Sequence, residues 1–112
     1  MIKHELGHIM EARKAFAEQG VMPFSKDIGD CLGKIAACET YEKGVISERL
    51  VTEAFEVVGL KPTPKNIRKY ISGYARDKYL NNGALNDSLA EGFSSEDPND
   101  VTKYIQDKMK GW

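Results

Sequence analysis

Turn-forming residues divide this chain at short intervals, and the intervals leave room for short helices and little else. Gly20, Gly44, Gly59 and the Asn81-Asn82-Gly83 cluster are breaks, and Thr63-Pro64 and Asp97-Pro98 read as helix starts. Between them apolar residues recur at steps of three and four, the period of one helix face. No run alternates in the two-residue period of a half-buried strand. The fold class expected is therefore mainly α, a single domain of five or six helices over residues 1–112.

The spacing predicts a first helix from about Met1 to Gln19, with Leu6, Ile9, Met10, Ala12, Phe16 and Ala17 as its apolar residues. A second, capped by Ser25 or Asp27, runs to about Glu42 with Ile28, Leu32, Ile35 and Ala36 on one face. Ser47 is the expected N-cap of a third helix over 48–58. Threonine as cap and proline at the first helical position start a fourth at Lys65, continuous to about Leu80. A short helix follows near 85–93. The last ends near Lys110, with Val101, Tyr104, Ile105 and Met109 inward.

Composition excludes several function classes. The chain of 112 residues has 41% hydrophobic and 29% charged residues and a formal net charge of −1. A helical stretch bearing Lys61, Lys65, Arg68, Lys69, Arg76 and Lys78 is basic, but acidic residues elsewhere balance it, so no nucleic-acid partner is expected. No apolar run approaches the roughly 20 residues of a bilayer span, and no signal peptide is evident, so no membrane partner and a cytoplasmic location are expected. Cys31 and Cys38 stand seven apart, about 10 Å along a helix, too far for a disulfide. They are read as reduced, partly buried thiols.

The residues with chemical potential are His4-Glu5-Leu6-Gly7-His8, and His4 and His8 are the only histidines in the chain. On a helix, positions i and i+4 share a face, so the two imidazoles can address one ion while Glu5 reaches water beside it. A catalytic zinc ion usually takes three protein ligands and one open position. No third histidine exists. The remaining ligand must come from a carboxylate or a cysteine, and Thr52-Glu53-Ala54-Phe55 and Ala90-Glu91-Gly92-Phe93 are similar phrases that composition does not separate.

Together with Ile71-Ser72-Gly73-Tyr74-Ala75 and Ala84-Leu85-Asn86-Asp87-Ser88-Leu89-Ala90-Glu91-Gly92-Phe93, the motif resembles phage-associated and toxin-like zincins. These include metallopeptidase-like domains attached to phage head proteins and lethal-factor-like peptidase domains. Their pattern is H-E-x-x-H, then S-x-Y-A, then N-E-x-F-A-E-A-F. The resemblance implies a zincin-like helical core with Zn2+ as cofactor, His4, His8 and Glu91 as metal ligands, and a peptide or protein as substrate. It favours Glu91 over Glu53 because Glu91 follows the Ser-x-Tyr-Ala phrase. Glu5 is then the general base, and Tyr74, with Tyr79 in reserve, the donor to the oxyanion.

The sequence departs from that pattern in three ways. Asn86-Asp87 stands in place of Asn-Glu, and Gly92 in place of alanine. The third departure is the sheet that precedes the motif in zincins, whose edge strand holds an extended peptide. With the motif at residue 4, the expectation is a fragment of a longer protein or a shortened gene. Apolar faces uncovered that way would favour a homodimer. The alternative expectation is a helical, phage-related structural or interaction module that retains the motif and cleaves nothing.

Overall fold

The protein is described by a computed structural model covering the backbone of residues 2–18, 20 and 28–112, with side chains undescribed at 2, 3, 28–32 and 34. The described residues form seven helices and no strand. These are α1 (Ile2–Glu18), α2 (Ile28–Glu42), α3 (Val45–Val57), α4 (Pro64–Tyr70), α5 (Gly73–Asn82), α6 (Asn86–Phe93) and α7 (Asp100–Met109). The mainly helical fold class expected from the sequence is the one observed.

Helix α6 is the hub. It lies against α1, α3, α5 and α7, while α2 packs on α1 and α3. The main core gathers Leu50, Val51, Ala54 and Phe55 of α3, Ile67 of α4, Leu89 of α6, and Val101, Ile105 and Met109 of α7. Burial of each large apolar side chain contributes about 1.5–3 kcal/mol. A smaller cluster joins Ala15, Ala37 and Ile46. No described helix is long and apolar enough to cross a membrane.

Three elements differ from expectation. The fourth helix is two helices, α4 and α5, because Ser72 turns extended and its Oγ accepts from the Ala75 N–H at 3.0 Å as a new N-cap. Its partner α4 starts as expected, with Thr63 accepting from the Asn66 N–H. Helix α3 begins three residues early, at Val45. Gly44, at φ 69°, makes the turn, and Ser47 is buried inside the helix rather than capping it. Finally, α1 buries only part of its apolar set: Met10 and Phe16 pack against the two core clusters and Ala15 is fully buried. Leu6 and Ile9 are exposed, and the inward face is His4, Gly7, His8, Glu11 and Ala15. Ile35 of α2 is likewise exposed, as is Cys38, while Ser25, Asp27 and the side chains of Ile28, Cys31 and Leu32 lie outside the described residues.

The reason for the α1 face is the closeness of α6. A Cβ placed on Gly7 would stand 2.8 Å from Ala90 Cα and 3.1 Å from Ala90 Cβ. Only glycine allows that approach. Alanine at position 7 improves helix propensity by about 1 kcal/mol, but overpacking against a backbone atom costs about 1–3 kcal/mol. Gly7→Ala is therefore expected to lower stability in chemical denaturation. An unchanged or raised midpoint would contradict the close contact.

Candidate metal centre

Two i,i+4 pairs face each other across the α1–α6 contact, His4 with His8 and Asp87 with Glu91. His4 Nε2, His8 Nε2 and Asp87 Oδ1 converge. The two nitrogens are 3.0 Å apart, His8 Nε2 is 3.2 Å from the carboxylate oxygen, and His4 Nε2 is 3.3 Å from it. The two imidazoles meet edge to face, with centroids 4.7 Å apart.

The other nitrogen of each ring is engaged outside this triangle. His4 Nδ1 lies 2.7 Å from Glu91 Oε2, and Glu91 Oε1 accepts from Ser72 Oγ at 3.0 Å. His8 Nδ1 lies 3.3 Å from Tyr41 Oη. His4 thus stands between two carboxylates, Glu91 at Nδ1 and Asp87 at Nε2. Ser72 donates to the carboxylate and not to an imidazole, so Ser72, Glu91 and His4 do not form a nucleophile–base pair.

The triangle can be tested against an ion. Tetrahedral ligands at bonds of about 2.0–2.1 Å stand roughly 3.3–3.4 Å apart. The observed separations of 3.0, 3.2 and 3.3 Å are near that edge length. Two imidazoles and a carboxylate are a donor set suited to zinc.

Of the other residues expected at the site, Glu5 and Tyr74 line the same open cleft of about 390 Å³ as His4 and Glu91. Tyr74 is 49% exposed, and its ring stands edge-on to His4 at 5.5 Å with Lys78 Nζ 5.5 Å from its centroid. Tyr79 packs against the main core. Glu53 is exposed on α3 and accepts from Tyr104 Oη at 3.3 Å. Sequence reasoning did not nominate Asp87, Tyr41 or Ser72. The signal for Asp87 was present, because Asp87 and Glu91 repeat on α6 the i,i+4 spacing of the histidines.

Behind the centre, Glu11 is fully buried and accepts from Ser47 Oγ and from Asn86 Nδ2, both at Oε2. Burial pushes its carboxyl above the ordinary carboxylate range, against hydrogen bonding from Ser47 and Asn86 and with help from the Asp87 charge. Burial, with the charges of Glu11, Asp87 and Glu5, also pushes the Tyr41 hydroxyl up. No family model matches the sequence, no curated protein matches it, and no solved structure matches the fold.

The raised Glu11 value has a stability consequence. Below the usual carboxylate range Glu11 is neutral folded and unfolded, and its full contribution is present. As pH rises through the raised folded value, the buried group must ionise and that contribution is lost. Glutamine carries no such penalty. In chelator, the stability of Glu11→Gln relative to wild type is expected to improve between about pH 4 and about pH 8. A difference independent of pH would contradict the burial argument.

Proposed function

We propose that this chain binds one zinc ion through His4, His8 and Asp87 and is the metal-binding core of a zinc-dependent peptidase. The observation that carries the reading is the convergence of His4 Nε2, His8 Nε2 and Asp87 Oδ1 within 3.3 Å of one another. Asp87 takes the third ligand position, where the sequence resemblance implied Glu91. Glu91 orients His4 through Nδ1, the outer-partner role that fixes a ligating imidazole and raises its basicity. The phage-associated and toxin-like zincins remain the family this reading favours, with a peptide or protein as substrate.

A zinc ion held there would supply Lewis acidity and lower the pKa of a bound water to about 7. The chain's own residues divide the remaining work. Glu5, on the cleft wall next to His4, takes a proton from the attacking water and returns it to the leaving amine. Tyr74 reaches into the same cleft with a hydroxyl able to donate to the carbonyl oxygen as charge develops there. Ser72 holds Glu91, which holds His4.

A second reading is favoured by a specific observation. Among the described residues there is no strand, so none of them provides the backbone edge that pairs with an extended peptide. On that reading the chain is a helical module that binds the metal without cleaving peptides.

Metal analysis and competition titration with a chromophoric chelator separate the roles. Wild type is expected to bind one zinc ion per chain, and His4→Ala, His8→Ala and Asp87→Ala to bind none measurably. Glu91→Ala is expected to weaken binding by about 10–100-fold. Glu5→Gln should keep the metal and lower peptide hydrolysis by about 10²–10⁴-fold. Zinc binding with no hydrolysis by wild type favours the second reading. Failure of wild type to bind zinc overturns both.

A further inference from the structure

Glu11 is a buried carboxylate that the proposed chemistry does not use. Burying one is costly unless it is hydrogen-bonded, and this one is fully buried on the face of α1 that carries the histidines. Its Oε2 accepts two donors, Ser47 Oγ from α3 and Asn86 Nδ2 from α6. Its Oε1 has no partner among the described residues. Glu11 acts as a single acceptor oxygen on which α1, α3 and α6 meet.

Asn86 is the residue immediately before Asp87, and it is held from three directions. Its Nδ2 donates to Glu11 Oε2 at 3.0 Å and to the Tyr41 carbonyl at 3.0 Å. Its Oδ1 sits so close to Gly44 that a Cβ there would be 2.9 Å away. Tyr41, the residue whose carbonyl receives Asn86, places its hydroxyl 3.3 Å from His8 Nδ1. One connected set of polar groups thus touches His8 on one side and fixes the neighbour of Asp87 on the other.

Resting on the zinc reading above, we infer that Glu11 and Asn86 are positioning residues that hold Asp87 and His8 in register for the ion. Glu11 works as an acceptor and not as a charge. Both of its hydrogen bonds fall on one oxygen, so the glutamine side chain can present a carbonyl oxygen to Ser47 and Asn86 and direct its NH2 to the side of Oε1. Alanine can do neither. Helix α6 then loses its tie to α1 at the residue before Asp87.

The test is zinc affinity by chelator competition on the full chain, with helix content checked by circular dichroism at the same temperature. Glu11→Gln is expected to stay within about threefold of wild type, and Glu11→Ala and Asn86→Ala to bind about 10–100-fold more weakly. Rescue by glutamine, with affinity lost in folded alanine variants, supports positioning, because a role in stability alone lowers the unfolding midpoint and leaves affinity intact. If Glu11→Ala does not fold, Asn86→Ala decides by the same reading. Wild-type affinity in a folded Asn86→Ala or Glu11→Ala chain overturns the inference while leaving the zinc reading standing. Absence of zinc binding by wild type overturns the zinc reading itself and the inference with it.

Discussion

The close approach of α1 and α6 at Gly7 and Ala90 is the contact on which the rest depends. A side chain on Gly7 would hold the two helices apart and separate His4 and His8 from Asp87 and Glu91. With hydrogen there, two i,i+4 pairs on facing helices meet as four functional groups in one small volume. The arrangement has a cost in burial. Helix α1 turns histidines, a glycine and a glutamate inward and leaves Leu6 and Ile9 to solvent. A helix selected only for stability would do the reverse.

Outer hydrogen bonds turn that proximity into a directed site, and they come from groups that also build the fold. Ser72 caps α5 and donates to Glu91, so the break between α4 and α5 and the orientation of His4 have one origin. On the opposite side, Tyr41 near the end of α2 reaches His8, and its backbone carbonyl receives Asn86. Each imidazole is contacted at Nδ1, by Glu91 or by Tyr41, while its Nε2 faces Asp87.

Much of the fold was legible in the sequence, because its signals are local. Glycine at Gly20, Gly44, Gly59 and Gly83 and the Thr63-Pro64 cap mark real helix boundaries, since positive φ and N-cap hydrogen bonds are set by neighbouring residues. The signals that misled were those decided by tertiary contact. Ser47 looked like a cap and is a buried donor to Glu11. The 65–80 segment had a continuous helical period, and the Ser72 cap that interrupts it also bonds α6. Of the apolar residues of the first helix, Met10 and Phe16 pack on the core while Leu6 and Ile9 do not, because hydrophobic periodicity cannot register that the contact with α6 needs glycine. The histidine pair was visible because both members lie on one helix. Asp87 depended on which carboxylate of α6 meets Nε2 and which meets Nδ1, a distinction of about one helical turn.

A crystal structure of the zinc-loaded chain tests the central claim most directly. The account predicts one ion, with His4 Nε2, His8 Nε2 and an Asp87 oxygen at about 2.0–2.2 Å, and with Glu91 still on His4 Nδ1. An ion ligated by Glu91 in place of Asp87, or bound away from both histidines, would contradict it.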